Sequence, residues 1–344
     1  NQNDPKALFK LGSLYYFDQD IPRDISKAIL YFSLVSDQKR PQAQYLLGYI
    51  YLNFKDIEKA IHYFELAAKQ GCLEAQFILG NIYISNQYVQ RDVNKAIHYY
   101  SLAANQNHSE ALFKLGSIYA LDQDIPRDMD KAIHYFLLAA DHNHPKALYN
   151  LAILYYSGQD VTKDIQKAIH YLTLAADQGF AESQFNLGAI YFNGDYVPQD
   201  IKKAMHYFSL AADQSFAEAQ FILGIIYNSN KYFTRDINKA IYYFKLASNQ
   251  KHSKAQYILG TMYYLGINLS QNVKEGQYYI ILSSLNGNRQ ANFAHGFLLH
   301  EGKHIKKDIM EAIKYYKESS SFNNQYAKNN LGIIYKNGYG KEIK

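Results

Sequence analysis

The sequence predicts an all-α solenoid, a fold in which helix pairs of similar sequence stack one after another. Three observations predict it. The segment DVNKAIHYYSLAA, residues 92–104, recurs nine times with substitutions; the Ala of its Lys-Ala step returns every 36 residues in all intervals but one; and a Leu-Gly step precedes it with a similar period. A period of about 20–50 residues is typical of repeat architectures. We therefore expect antiparallel helix pairs, nine full repeats plus a final first helix.

Each repeat begins with a segment built around the Leu-Gly step, which we name helix A. An Ala five residues before the glycine, a Leu just before it and a Tyr three residues after it recur, as Ala75, Leu79 and Tyr83 do around Gly80. These positions share one face of a helix with 3.6 residues per turn, so the segment is an amphipathic helix. Ten such segments have their central residue at Gly12, Gly48, Gly80, Gly116, Ala152, Gly188, Gly224, Gly260, Gly296 and Gly332.

The second segment, helix B, has a clearly marked start. An Asp or Asn lies four residues before the repeated Ala, where its side chain accepts hydrogen bonds from the free N–H groups of the first turn. We expect the Tyr three residues after that Ala, present in all nine repeats, to fill the volume between layers with its hydroxyl hydrogen-bonded. The nine predicted caps are Asp24, Asp56, Asp92, Asp128, Asp164, Asp200, Asp236, Asn272 and Asp308.

A short polar loop joins the two helices of each repeat. Six repeats and the final A helix carry a turn-forming residue six positions after the central residue, which suits the backbone turn that leaves a helix. The second repeat has only 12 residues from Gly48 to Ala60, where the other repeats have 16, and all four missing residues fall in this loop. We therefore expect the second repeat to keep both of its helices. The seven turn residues are Asp18, Asn86, Gly158, Gly194, Gly266, Gly302 and Gly338.

The unit AxxxLGxxY, loop, DxxKAxxYYxxAA resembles the Sel1-like repeat, a relative of the tetratricopeptide repeat. Residues 75–104 carry nearly all of its recurring positions, and the match extends over the chain. It departs furthest where Glu275 and Gly276 replace Lys and Ala, and where Leu299 replaces the helix A Tyr. The resemblance implies a right-handed superhelix whose concave side is lined by A helices, and a role as scaffold or adaptor. We expect one array, residues 1–344, within a longer chain.

Composition and charge exclude several functions. Residues 302–344 carry nine Lys against four carboxylates, so the remaining sequence is neutral and lacks the basic face that nucleic-acid binding requires. A helix that spans a bilayer needs about 20 apolar residues, and no apolar run in the sequence approaches that length. Cys72 is the only cysteine, which fits a reducing compartment, and we expect a cytoplasmic protein. We expect no nucleic-acid or membrane partner.

Three histidine patterns in the sequence have residue types that bind metals, but we expect none of them to be a metal site. HEGKH, residues 300–304, satisfies the zinc-peptidase pattern HExxH, but Gly302 is a loop glycine, so the motif straddles a helix end and loses the required geometry. His142 and His144 form an isolated loop pair beside Asp141. The third pattern is a solvated stripe with one histidine per B helix at His62, His98, His134, His170 and His206. We expect neither a cofactor nor catalysis.

The variable positions of helix A predict the binding surface. On a helical wheel, the positions six and two before the central glycine, and one and five after it, lie opposite the core face. Apolar residues there suggest patches around Leu46 with Tyr49, and around Ile222 with Ile225 and Ile258, since exposed apolar clusters often mark partner sites. Superhelical winding that buries them against the next repeat is the alternative. The predicted partner-binding residues are Leu46, Tyr49, Ile78, Asn81, Lys114, Asn150, Ile153, Asn186, Ile222, Ile225, Ile258 and Thr261.

These observations favour a non-enzymatic scaffold or adaptor that holds a peptide or a helical domain on its concave A-helix surface. Two alternatives remain open. The array is an accessory region that positions the catalytic domain of a larger signalling enzyme, such as a protein kinase, or it belongs to an adaptor of endoplasmic-reticulum quality control. The last alternative requires the sequons that begin at Asn107 and Asn268 to be glycosylated.

Overall fold

The structure is a computed structural model that describes residues 4–17, 24–36, 40–303, 305–321 and 323–339. Within these ranges it contains 19 α-helices and no strand, which confirms nine helix pairs and a final first helix. The A helices are α1 (Pro5–Phe17), α3 (Pro41–Asn53), α5 (Leu73–Ser85), α7 (Ser109–Leu121), α9 (Pro145–Ser157), α11 (Ala181–Asn193), α13 (Ala217–Asn228), α15 (Ser253–Leu265), α17 (Arg289–Glu301) and α19 (Gln325–Lys336). The B helices are α2 (Ile25–Ser36), α4 (Ile57–Lys69), α6 (Val93–Ala104), α8 (Met129–Asp141), α10 (Ile165–Asp177), α12 (Ile201–Asp213), α14 (Ile237–Asn249), α16 (Val273–Leu285) and α18 (Ile309–Ser320).

The chain divides into two compact units, residues 1–175 and 176–344. Within each unit, helices that follow one another in sequence pack together, as α5 packs on α6 and α6 on α7 in the first unit. Among the described residues, no helix combines the length and apolarity needed to cross a bilayer. The helix pair is therefore the building block, and what holds one pair together and joins it to the next determines the fold.

The predicted caps start every B helix. In each of the nine, the Asp or Asn side chain accepts a hydrogen bond from the backbone N–H three residues later, as Asp92 does from Lys95 at 2.9 Å. The equivalent distances in the other eight repeats lie between 2.9 and 3.2 Å. In the first repeat, the hydrogen bond from the Lys27 N–H, helped by the Lys27 ammonium, lowers the pKa of Asp24. The sequence signature of the helix start is thus confirmed throughout.

The side chain that fills each helix pair is not the predicted Tyr but the residue after it. In the third repeat Tyr100 is fully buried, whereas Tyr99 is only half-buried. The Tyr100 ring lies directly on Gly80, where an added Cβ would come within 2.5 Å of it. The same arrangement pairs a central glycine with a buried aromatic ring in six other repeats, formed by Phe32, Phe64, Phe136, Phe208, Phe244 and Tyr316.

The predicted Tyr instead forms a stacked pair with the Tyr of helix A. Tyr83 and Tyr99 lie with their ring planes 4° apart and their centroids 5.8 Å apart, and seven other repeats have equivalent pairs. The Lys of the Lys-Ala step lies above the helix A ring, with Lys95 Nζ 4.8 Å from the Tyr83 centroid. The Tyr99 hydroxyl donates to the Glu65 carboxylate of the preceding repeat at 3.3 Å. These phenols therefore link repeats as well as helices.

A buried glutamine links three consecutive helices in five repeats. In the third, Gln76 lies one residue after the repeated Ala of helix A; its Nε2 donates to the Ala68 carbonyl at the end of α4 at 3.1 Å, and its Oε1 accepts from Gln106, just after α6, at 2.8 Å. Burial without these partners would be costly, so the amide joins α4, α5 and α6 with its polar groups satisfied. The equivalent glutamines are Gln44, Gln184, Gln220 and Gln256.

Gly276, a departure from the repeat pattern, has a packing explanation. A Cβ at this position would lie 2.5 Å from the backbone nitrogen of Tyr264, and one at Gly260 would lie 2.9 Å from the backbone nitrogen of Ile280. Glycine at both positions lets α15 and α16 approach more closely than an Ala would permit. The turn glycines also behave as predicted, since Gly158, Gly194, Gly266 and Gly302 end their helices with positive φ.

Candidate functional site

The predicted partner-binding residues all lie on A helices, and we refer to them together as the A-helix wall. They occur as i, i+3 pairs on α3, α5, α9, α13 and α15, and singly on α7 and α11. Residues three apart share one face of a helix, so Leu46 with Tyr49, for example, presents one surface. The wall of the first unit lies on α3, α5, α7 and α9, and the wall of the second unit lies on α11, α13 and α15.

Exposure divides the wall into two classes. Tyr49 and Ile153 are 42% and 39% exposed, and the ten other predicted residues are half-buried. Leu46 packs against the core of the first unit, and Ile222 packs against the core around Phe208 in the second. Ile225 and Ile258 pack against the neighbouring core around Phe244. The apolar patch predicted at these isoleucines is thus partly covered by the protein itself, in the direction of the alternative prediction that neighbouring repeats bury it.

Several polar members of the wall are engaged within the protein. Asn81 Oδ1 accepts a hydrogen bond of 2.8 Å from the buried Tyr100 hydroxyl, and the Thr261 hydroxyl donates to carbonyls of its own helix. Lys114 Nζ lies 3.6 Å from the Glu110 carboxylate one turn earlier. Asn81 therefore has a structural role that its position on the helical wheel did not indicate. Burial raises the pKa of Tyr100, so its hydroxyl remains a donor at neutral pH.

The most exposed apolar side chains of the A helices lie at their ends and were not among the predicted residues. Leu121, the last residue of α7, is 80% exposed, and Leu265, the last residue of α15, is 61% exposed. Both occupy the position five after the central glycine, which the helical wheel had marked as outward-facing. On α9, Tyr156 is exposed one turn after Ile153. In the first unit, Leu121, Ile153 and Tyr156 thus present apolar surface on two successive A helices. The A-helix wall of the first unit therefore also includes Leu121 and Tyr156.

The histidine patterns of the sequence differ from one another in their structural surroundings. His300 is on the last turn of α17, which ends at Glu301 before the positive φ of Gly302, so the predicted break of HEGKH is confirmed; His304 lies outside the described residues. The five stripe histidines are exposed, as expected, and each packs edge-on or tilted on the Tyr that follows it. Among the described residues, no group of three His, Cys, Asp or Glu side chains is placed to hold a metal.

His144 is not part of an isolated loop pair, as the sequence had suggested, but caps a helix. Its Nδ1 accepts from the Ala147 N–H at 3.3 Å at the start of α9, its ring stacks on Phe113, and its Nε2 lies 2.8 Å from the Glu110 carboxylate. Although burial opposes it, this contact together with nearby lysines lowers the pKa of Glu110. The imidazole thus caps α9 and contacts α7, the preceding A helix, which is a structural role. His252 repeats the arrangement with Glu218.

Comparison with known proteins agrees with this geometry. A family model of the Sel1 repeat matches nine consecutive segments, at residues 5–39, 41–72, 73–108, 109–144, 145–180, 181–216, 217–252, 253–288 and 289–321. No curated protein sequence gives a significant match.

Two solved structures resemble the chain over most of its length. One is c5321, a protective antigen of uropathogenic Escherichia coli strains with an SLR fold; it is 26% identical with a TM-score of 0.78, over 98% of this chain and 73% of that one. The other is a Sel1 repeat protein from Oxalobacter formigenes, 25% identical with a TM-score of 0.75, over 89% of this chain and 90% of that one. With nine repeats matched in sequence and the helix pairs present in the structure, the chain belongs to the Sel1 repeat family.

Proposed function

We propose that this chain is a non-enzymatic interaction scaffold that holds a partner polypeptide against its A-helix wall. Sel1 repeat proteins generally mediate protein–protein interactions, and their fold is typically a non-catalytic scaffold. The observation that carries the proposal for this chain is the apolar surface of the first unit, where Leu121, Ile153 and Tyr156 are exposed on α7 and α9. Exposed apolar side chains grouped on one face are typical of partner sites.

The chemistry of the wall indicates what kind of partner it suits. Apolar side chains stand beside half-buried polar ones, with Asn150 one turn before Ile153 and Lys114 two turns before Leu121. Apolar anchors surrounded by polar groups are the usual composition of a protein interface. A peptide or helix with two or three apolar residues along one face is therefore the partner that we propose, and neither a nucleic acid nor a membrane.

The proposal includes the cellular context and the unity of the array. We propose a cytoplasmic location, supported by a single, half-buried Cys72 whose thiol lies 3.4 Å from the Glu74 carboxylate. Burial raises the pKa of this thiol, which disfavours the reactive thiolate. We also propose that residues 1–344 act as one array, because the matched repeats follow one another along the chain.

A pull-down with matched variants tests the scaffold role. The full chain is immobilised and compared with the double variant Leu121→Glu, Ile153→Glu, which places two charges on the wall of α7 and α9. The matched control, His134→Glu, His170→Glu, places two charges on exposed positions of α8 and α10 in the B helices. Circular dichroism establishes that all three chains are equally helical.

The proposal predicts that proteins recovered with the wild-type chain are lost with the wall variant and retained with the control. If the wall variant still recovers these proteins and the control variant does not, the binding surface lies on the B helices instead. Recovery of no protein by the wild-type chain would contradict the scaffold role itself.

A further inference from the structure

The layer between α16 and α17 differs from the other layers between repeats because its buried polar side chains include a histidine in place of the core leucine. In the layer between α12 and α13, two alanines, Ala211 and Ala212, and Leu223 are buried. In the layer between α16 and α17, the equivalent positions hold two serines and a histidine, which are also buried. These are Ser283, Ser284 and His295.

His295 is the most unusual member of this polar layer. It occupies the position immediately before the central glycine, where the other nine A helices all carry Leu. It is buried, its Nδ1 lies 3.2 Å from the Ser284 hydroxyl, and its ring packs on Tyr315 with centroids 4.2 Å apart. A titratable group thus replaces a core leucine at this one joint.

The hydrogen bonds around His295 fix where an added proton must go. The Ser284 hydroxyl donates to Asn292 Oδ1 at 2.8 Å, so it is left to accept from the Nδ1–H of His295. The neutral ring therefore carries its hydrogen on Nδ1, a tautomer assigned from the network. Asn292 Nδ2 in turn donates to the Glu318 carboxylate at 3.2 Å. Protonation puts the second N–H on Nε2, on the side of the ring that lacks Ser284.

The charged groups near His295 do not offset its burial. On α18 the titratable neighbours are Tyr315, which contacts the ring, and Glu311 and Glu318, which lie close to Tyr315; Glu318 is bound by Asn292. The α16 side of the layer presents neutral serine hydroxyls. Burial alone lowers the pKa of His295, to about 4.

The helices beyond this layer have a core of their own. Leu299, Tyr316 and Leu331 belong to one hydrophobic cluster formed by α17, α18 and α19, whereas Met262 and Tyr279 belong to the cluster before the polar layer. In repeat proteins each repeat contacts only its neighbours, and local opening occurs in contiguous cooperative units. The helices α17 to α19 are thus a contiguous group joined to the preceding repeat through a polar layer.

We propose that α17, α18 and α19 undock together from α16 in mild acid, and that protonation of His295 is the trigger. Undocking exposes the imidazole to water, where it binds a proton readily, while the docked state holds it neutral between Ser284 and Tyr315. The device is independent of the proposed scaffold function, since it resides in the packing between repeats and uses no residue of the A-helix wall.

The direction and size of the effect follow from linkage. A histidine whose pKa is lower in the docked state stabilises docking fully above its pKa in water, about 6.5, and this contribution is lost as the pH falls toward 4. With these two values, the equilibrium constant for undocking rises about 30-fold between pH 7.5 and pH 5.

Hydrogen exchange of the full chain, read by mass spectrometry and corrected for the intrinsic pH dependence of exchange, tests the proposal. Protection of α17 to α19 should fall about 30-fold between pH 7.5 and pH 5 relative to α13 and α14. His295→Leu restores the residue of the other A helices and should abolish this difference. The matched control His206→Leu removes an exposed histidine of the same unit and should leave the difference unchanged.

An equal acid response in His295→Leu, or a uniform loss of protection across the second unit, would overturn the proposal. If His295→Leu does not fold, a second measurement on the wild-type chain tests whether His295 is the trigger. In the wild-type chain, NMR titration of the histidine rings should place the pKa of His295 near 4, and a value of 6 or above would contradict the trigger.

Discussion

Gln106 Nε2 donates a hydrogen bond of 2.8 Å to Oε1 of Gln76, whose own Nε2 donates to the Ala68 carbonyl at 3.1 Å. One buried amide thus joins α4, α5 and α6. This joint between repeats depends on hydrogen bonds as well as on apolar contact, and its removal takes one hydrogen bond from each of the two groups that it joins to α5.

Replacement of Gln76 should therefore cost stability. We expect Gln76→Ala to lower the free energy of unfolding by about 1–3 kcal/mol, because it removes two hydrogen bonds, to the Ala68 carbonyl and from the Gln106 amide, each worth about 0.5–1.5 kcal/mol. Urea denaturation followed by circular dichroism measures the change. Gln87→Ala, in the exposed loop after α5, is the matched control and should stay within about 0.5 kcal/mol of wild type. Equal effects of the two substitutions would contradict the role of Gln76.

The central glycine and the buried ring of helix B should be energetically coupled. A Cβ on Gly116 would lie 2.6 Å from the Phe136 ring, so Gly116→Ala should destabilise the chain by about 1–3 kcal/mol. The fifth repeat combines Ala152 with the smaller Leu172, both buried. Phe136→Leu should thus make the Gly116→Ala change less costly, with a coupling of about 1 kcal/mol in a double-mutant cycle. Strict additivity of the two substitutions would refute this account.

Asn81 should affect stability through the Tyr100 hydroxyl. Asn81→Ala leaves this buried donor without its 2.8 Å acceptor and should cost about 1–3 kcal/mol. Tyr100→Phe introduces the residue that the first, second and fourth repeats carry at this position, and it removes the hydroxyl donor. In a chain that already carries Tyr100→Phe, Asn81→Ala should therefore destabilise the fold much less than it does in the wild-type chain. Thermal unfolding of the four chains gives the comparison. An unchanged cost in the Tyr100→Phe background would show that the hydrogen bond is unimportant.

His108 should make the stability of the first unit depend on pH. Its Nδ1 caps α7 by accepting from the Ala111 N–H at 3.1 Å, and burial lowers its pKa although Glu110 and Glu74 oppose the shift. The neutral ring is the form that caps, so its contribution is complete above about pH 6.5 and is lost as the pH falls.

Asn caps α17 and α19 in the same way and does not titrate, so His108→Asn should remove this dependence. Relative to the variant, the wild-type chain should lose stability between pH 7 and pH 5, as measured by the urea midpoint. A difference between the two chains that stays constant over this range would exclude His108 as the cause.

Repeated positions allowed most of the fold to be predicted from the sequence. The caps, the helix pairs and the turn glycines depend on local chemistry, so Asp92 and Gly266 reveal their roles within a few residues of sequence. Contacts between repeats could not be derived in this way. The choice between Tyr99 and Tyr100 as the buried ring depends on a rotation of α6 by one residue, and the partner of Gln76 lies 30 residues away.

The same limit applies to the candidate site. Tyr49 and Ile153 are exposed, as their positions on the helical wheel indicated. The wheel could not show that Ile222 and Ile225 pack against hydrophobic cores, or that Asn81 accepts a hydrogen bond from Tyr100. Exposure depends on the packing of successive repeats, which no single helix encodes.

Site-specific photo-crosslinking tests the central claim, that the A-helix wall binds the partner, most directly. Benzoylphenylalanine is introduced at Ile153 on α9 in one chain and at His134 on the exposed face of α8 in another, and each is irradiated with proteins captured by the wild-type chain. We expect a covalent adduct with the partner from position 153 and none from position 134. An adduct from position 134 with none from position 153 would contradict the claim.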